Sequence, residues 1–353
     1  MKIAYLFETF PSPTETFLAR EVEALRKLGW EIEIWAMQAG DGAHAIPSPS
    51  RALKLAGRQK FLAAQAALLA PQLRAQNISH LHAAWANHIA DLAHLAAQKA
   101  ERSWSFAAHA RDLWVEGGDL ELKLASAKFG AVCTRAGEEE LRKYGENVVY
   151  APHGLPLDKF PFQPWQKERR LRVLGVGRLV EKKGWMDLVA AVGIAQRYGT
   201  AVSAQIIGEG PLRGLLERQI AGQGLGASIQ LRGALPEDEV VAAMQEANCF
   251  VLPSRRASDG DRDGLPNVLL EAAALGLPLV TSDSEGARDF VDEDTAWLFP
   301  SSDAMALATA LGNVVSRPEK TVELCRAARE RVENQFDVEK NVEILARAFG
   351  VRS

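Results

Sequence analysis

Asp263 and Glu271, eight positions apart in RDGLPNVLLEAAALGLPLV, bracket a Gly-Leu-Pro turn that leads into an apolar helical run. A carboxylate that can only accept hydrogen bonds, set inside that helix, suits the diol of a ribose. One in the loop before it suits the hydroxyls of a hexose. The first N–H groups of a helix have no acceptor within it, so the backbone around Gly264, Leu265 and Asn267 can face a phosphate or sugar hydroxyls. The same residue types also serve a helix with no ligand, since Asp favours the dipole and Glu is a good helix former.

A second stretch, LGVGRLVEKKGW, places Arg178 just past a predicted strand and Lys183 beside Gly184, where a helix is expected to open. Two cations next to helix-start amides make an anion site suited to a diphosphate. In isolation the pattern equally fits a solvated loop. IIGEGPLR is another strand–Gly–helix junction, in which Gly208 fits a tight turn and lacks the G-x-G-x-x-G phosphate fingerprint. His109 closes the predicted strand WSFAAHA, where its ring could bond a sugar hydroxyl or its carbonyl could stabilise an oxocarbenium-like centre. His80, His82, His88 and His94 lack the H-E-x-x-H spacing of a zinc helix, so no metal is expected there.

These residues need a scaffold that presents strand ends. KIAYLF, EIEIWAM, SHLHAAW, WSFAAHA, AVCT and VVYA read as strands separated by helical runs. PHGLPLDKFPFQPW (152–165) then breaks the rhythm, and the alternation restarts with RLRVLGVGRL and five further strands. The pattern predicts an α/β chain of two doubly wound parallel units facing across a cleft: 1–158, 159–336, and a final helix in 337–353. In such sheets ligands sit beyond the carboxyl ends of the strands.

The bulk numbers agree with a soluble globular chain long enough for two domains, each with its own core. It has 353 residues, 47% of them hydrophobic, and a net charge of −4, which gives no basic signature for nucleic acid. Cys133, Cys249 and Cys325 are widely spaced, with neither metal-type nor redox-type spacing, and read as small hydrophobes in a reducing compartment. MKIAYLFETFPSPTETF has too short an apolar run for a signal peptide, and no stretch reaches membrane-span length. The expected location is cytoplasmic. One continuous helix is expected over 51–76, with Arg51, Lys54, Arg58, Lys60 and Arg74 on its polar side. It suits either the core or peripheral contact with anionic lipid at the inner membrane face.

Taken together, GRLVEKKG, GEGPLR, LPSRRASDGDRDGLPNVLLEAAALGLPLVTS and FAAHARDLW resemble the retaining glycosyltransferases of family 4, which have the GT-B fold. The N-terminal YLFETFPSPTETFLAREVEALRKLGWEI is similar to their bacterial exopolysaccharide branch, of the colanic-acid type. The resemblance covers nearly the whole chain. It implies that Arg178 and Lys183 hold the diphosphate of a nucleotide sugar, with Gly208, Gly264, Leu265 and Asn267 around the donor. Glu271 would bind the ribose, Asp263 the donor sugar, and His109 would lie against the sugar near the reacting carbon. Phe10, Ser12, Thr14 and Thr16 would border the acceptor, and the last helix would return to the N-terminal domain.

The resemblance further implies a metal-independent hexosyltransferase without a cofactor. Its donor would be a UDP-sugar first and a GDP-sugar next, and its acceptor a glycan, glycolipid precursor or small molecule. One departure is plain: the first Glu of the family's E-x7-E pattern is Asp263, shorter in reach by about 1.5 Å. Two alternatives share these residues, a degenerate nucleotide-binding homologue without activity and a GT-B nucleotide-sugar epimerase.

Overall fold

A computed structural model of the chain describes residues 1–55 and 57–350. The chain divides into two α/β units, the first made of Met1–Gly154 together with the residues from Val338 onward, the second of Leu155–Asp337. The first crossing falls a few residues before the 158/159 position expected from the Pro-rich stretch. There the Leu155 N–H donates to the Phe336 carbonyl at 2.8 Å, and Leu155 bridges to Asp337, which ties it to the second unit.

The first unit is built on seven strands: β1 (Lys2–Phe10), β2 (Glu31–Ala39), β3 (His44–Ala45), β4 (His80–Ala83), β5 (Ser103–Ala108), β6 (Gly130–Val132) and β7 (Val148–Tyr150). They form one parallel sheet in the order β3-β2-β1-β4-β5-β6-β7. β1 is central and buried from Ile3 to Phe7, as a parallel strand covered on both faces must be. Its side chains alternate between two cores. Ala4 and Leu6 join Leu69, Leu81, Leu92 and Phe106 on one face, while Ile3, Tyr5 and Phe7 join Leu18, Leu25, Ile34 and Phe129 on the other.

The terminal helix Val338–Phe349 lies on this second face. Val338, Val342, Leu345 and Phe349 recur at helical spacing and are all buried there. Each such burial stabilises by about 1.5–3 kcal/mol. Lys128 Nζ closes the helix end by donating to the Phe349 carbonyl at 2.6 Å.

Two local features differ from expectation. The short strand β3 lies in DGAHAIPSPS, which reads as a loop because only two residues pair. The helix expected over 51–76 is two helices, Arg51–Leu55 and Arg58–Ala75, with Gly57 before the second at φ 111°. Ala56 and the Arg51 side chain lie outside the described residues. The longer helix buries Leu62, Ala66, Leu69, Ala70 and Leu73 in the core, so that apolar side is already covered. Among the described residues no helix is long and apolar enough to cross a membrane.

His80 and His82 point into the sheet's second face, where they bond Ser103 and Ser105. Nearby, Glu21 of the helix Thr16–Lys27 accepts a short hydrogen bond from Tyr5. Burial pushes the Glu21 carboxyl up to about 7, only partly offset by that bond. Its folded form therefore holds a proton that the unfolded chain releases near 4.5. The associated stability is complete below that value and is lost as pH rises to about 7. Glu21→Gln removes the ionisation and should gain stability relative to wild type between pH 5 and pH 8, about the span of that shift. Urea melts of both proteins at the two pH values test this, and parallel pH profiles would refute it.

The second unit has six parallel strands: β8 (Leu171–Val176), β9 (Val202–Ile207), β10 (Ile229–Gly233), β11 (Cys249–Leu252), β12 (Leu279–Ser282) and β13 (Trp297–Phe299). Their order is β10-β9-β8-β11-β12-β13. The order reverses between β8 and β11, so the loops that follow those two strands meet at the position where α/β sheets bind ligands.

Candidate active site

In the second unit, residues 177–184 follow β8 and residues 253–266 follow β11. The first loop ends in a 3-10 turn, Glu181–Lys183, and Gly184 then starts the helix Trp185–Arg197. Gly184 sits at φ 66°, and a Cβ there would lie 1.9 Å from the Pro253 carbonyl oxygen. Only glycine lets the two loops approach this closely. The turn aims both of its lysines at the second loop. Lys183 Nζ lies 2.8 Å from Asp263 Oδ2, which also accepts from Ser254 Oγ at 2.6 Å. Lys182 Nζ lies 3.0 Å from Asp261 Oδ1 and 3.7 Å from Asp263 Oδ1, and donates to the Arg262 carbonyl at 3.1 Å.

Asp263 is thus a buried carboxylate among cations. Burial pushes its pKa up, but Lys183 and Lys182, with the bonds from Lys183 and Ser254, hold it below the usual carboxylate range. The residue stays charged. The shorter Asp side chain still reaches both lysines within its own unit.

Arg178 is exposed and makes no ion pair among the described residues, while its carbonyl accepts from Trp185 Nε1 at 2.9 Å. The Lys183 stem passes close to Gly177, since a Cβ on that glycine would lie 3.2 Å from Lys183 Cε. Gly208 follows β9 at φ 145°, and a Cβ there would meet the Gly177 carbonyl oxygen at 2.0 Å. Its part here is to let two strand-end loops touch.

Beyond Asp263, Gly264 and the buried Leu265 lead into the helix Asn267–Leu275, which carries the buried Glu271 at its fifth position. Pro266 directly precedes the first helical residue. The helix opens without a side-chain cap, so its first N–H groups face away from the helix body.

In the first unit, His109 follows β5 directly, and its backbone is fixed by Asp112. That buried carboxylate accepts from the N–H groups of His109 at 3.0 Å, Ala110 at 2.9 Å and Ala86 at 2.9 Å. The ring is equally engaged, with Nε2 3.0 Å from the Ala84 carbonyl and Nδ1 3.1 Å from His153 Nε2. Burial holds the His109 pKa below its ordinary value, partly countered by Asp112 and by the Ala84 carbonyl. Both ring nitrogens therefore meet protein partners in this structure, where the sequence suggested one for a sugar hydroxyl. Phe10 ends β1, Ser12 and Thr14 follow it with their hydroxyls 3.4 Å apart, and Thr16 opens the next helix.

The structure thus joins Lys183 to Asp263 directly and places Arg178, Gly264, Leu265, Asn267 and Glu271 on the same two loops or the helix after them. Sequence reasoning missed Lys182 and Ser254, which hold Asp263, Asp261, which pairs with Lys182, and Asp112 and His153, which hold His109. The doubled lysine in EKKG and the Asp three residues after His109 were the available signals.

Two parallel units of this topology make up the GT-B fold. Residues 158–331 match the family model for glycosyl transferases group 1. Over 168 residues, 47% of this chain and 41% of the relative, the chain is 38% identical to the amylovoran biosynthesis glycosyltransferase AmsK of Erwinia amylovora. Over 96% of both chains it is 26% identical to WcaL of Escherichia coli, assigned to colanic acid biosynthesis as a glycosyltransferase. The crystal structure of Anabaena HepE in complex with UDP superposes with a TM-score of 0.80 at 16% identity, covering 99% of each chain, a likeness that shows the fold. Residues 158–331, just under half of the chain, are similar to the group 1 glycosyltransferases, and the relatives support glycosyl transfer from a nucleotide sugar.

Proposed function

We propose that this protein is a retaining, metal-independent hexosyltransferase that uses a UDP-sugar and delivers the hexose to a hydroxyl of a glycan or glycolipid precursor in polysaccharide synthesis. The observation that carries this is the cation pair after β8. Lys183 is fixed by its turn, and Arg178, five residues earlier on the same loop, has no anionic partner among the described residues. A diphosphate entering there takes Lys183 as its counter-charge and releases Asp263 to accept from sugar hydroxyls. Glu271 takes the ribose diol.

During transfer the bond from the anomeric carbon to the phosphate oxygen breaks, and its electron pair leaves with the phosphate. The acceptor oxygen attacks the same face, and its proton passes to the departing phosphate. Fixed positive charge on that leaving group is the main protein contribution to rate. The choice of UDP draws on HepE, whose structure holds it, and the polysaccharide acceptor draws on AmsK and WcaL.

A melting-temperature panel of UDP, GDP, ADP and dTDP tests the donor class. UDP at 100 times its Kd should stabilise by about 2.7 kcal/mol. The shift should be the same with Mg²⁺ or EDTA. A shift with GDP alone would move the donor to a GDP-sugar, and no shift with any of the four would defeat the proposal.

A further inference from the structure

We propose that His109, Cys133 and His153 form a binding site for Zn²⁺. The three residues follow the carboxyl ends of β5, β6 and β7, three neighbouring strands of the first unit. All are buried, and among the described residues they are the one group of metal-ligating side chains, with donor atoms all within 4.8 Å of one another.

The His109 ring is already set as a ligand. Its Nε2 lies 3.0 Å from the Ala84 carbonyl, which can only accept, so that nitrogen carries the proton. The lone pair is then on Nδ1, which faces His153 Nε2 at 3.1 Å. A ligating imidazole whose other N–H is held by a carbonyl is the usual outer-shell arrangement of zinc sites.

The spacing also fits. Two Zn–N bonds of about 2.0–2.1 Å at a tetrahedral angle set their nitrogens about 3.4 Å apart, and a Zn–S bond of about 2.3 Å sets sulfur about 3.6 Å from each. The nitrogens are within a few tenths of an ångström of this. Cys133 Sγ, which lies 3.9 Å from the His109 carbonyl oxygen and within 4.8 Å of both nitrogens, needs to close by at most about 1.2 Å.

The rings are held by packing. Phe17 stacks on His153 at 4.1 Å between centroids, and Trp85 meets the His109 ring edge-on at 4.8 Å. His153 also lines a small pocket with Phe17, Glu21 and Asn341. Two imidazoles and a thiolate select a borderline-soft ion and discriminate against Mg²⁺ and Ca²⁺. Binding displaces the thiol proton to solvent and leaves one coordination position for water. The site takes the His109 nitrogen that otherwise meets His153, and it does not depend on the transferase reading.

The test uses the full chain stripped of metal, titrated with Zn²⁺ against a chromogenic chelator and, separately, with Co²⁺ followed by absorption. One equivalent of Zn²⁺ should bind, and Co²⁺ should give a thiolate-to-metal charge-transfer band in the near ultraviolet. Cys133→Ser should abolish the band, and His153→Gln should weaken Zn²⁺ binding by at least about 10- to 100-fold. Cys249→Ser should leave both unchanged. Wild type that takes up no Zn²⁺ and shows no band, or binding that survives in folded Cys133→Ser, would mean that the cluster is only a hydrogen-bonded histidine pair and would overturn the proposal. Neither readout involves sugar transfer, so either result leaves the donor test standing.

Discussion

Lys183→Ala should lower kcat by roughly 10²- to 10³-fold, the usual loss when one fixed charge-stabilising group is removed from a leaving group. Lys183 reaches its place by backbone geometry, because the 3-10 turn and the left-handed Gly184 leave the ammonium 2.8 Å from Asp263. Lys182 cannot substitute, since its ammonium is buried between Asp261 and the Arg262 carbonyl. Arginine at 183 should restore only part of the rate, because its planar fork does not reproduce a compact point charge.

A second signature accompanies the loss. Lys183 is the strongest influence holding the Asp263 pKa down against burial, so without it that pKa rises. The residual activity should then fall away on acidification at a higher pH than in wild type. Steady-state kinetics across pH would show both effects. A kcat within a few-fold of wild type would remove Lys183 from the chemistry.

Asp112→Ala should destabilise the first unit by about 3 kcal/mol or more. Hydrogen bonds to a charged acceptor contribute roughly 1.5–3 kcal/mol each, and removing the acceptor leaves its buried donors without a partner. Here one carboxylate takes three backbone donors, from Ala86 after β4 and from His109 and Ala110 after β5. Hydrogen exchange reads this locally, since the three amides should lose protection together, ahead of the amides of β1. Unchanged exchange at Ala86 would show that Asp112 does not fasten the two loops.

The alternation of strands and helices was legible because buried parallel strands and amphipathic helices write their periods into the chain. β1 shows this in Ile3–Phe7 and the last helix in Val338, Val342, Leu345 and Phe349. The residue types at strand ends were legible too, as with Arg178, Lys183 and Glu271. Their partners were not. Lys183 meets Asp263 because β8 lies beside β11 in the sheet, and strand order leaves no local mark on a sequence. The same holds for Cys133, whose spacing carried no metal signal: its neighbours His109 and His153 come from the flanking strands and not from its own loop. The break at Gly57 was hidden for another reason. The Ala/Leu-rich run on either side has strong helix propensity, and one glycine at φ 111° overrides it.

The return of the last helix to the first unit has a consequence for how the chain is made. The second unit is an insertion: it is contiguous, its two ends are joined by the Leu155–Asp337 bridge, and the first unit is split around it. During synthesis the N-terminal 154 residues emerge well before the helix that covers Ile3, Tyr5 and Phe129. Until that helix arrives, the part of this apolar face that it covers is exposed, and such surface favours aggregation. The inserted unit is contiguous, so a chain cut after residue 337 would carry all of the second unit and a first unit without its last helix.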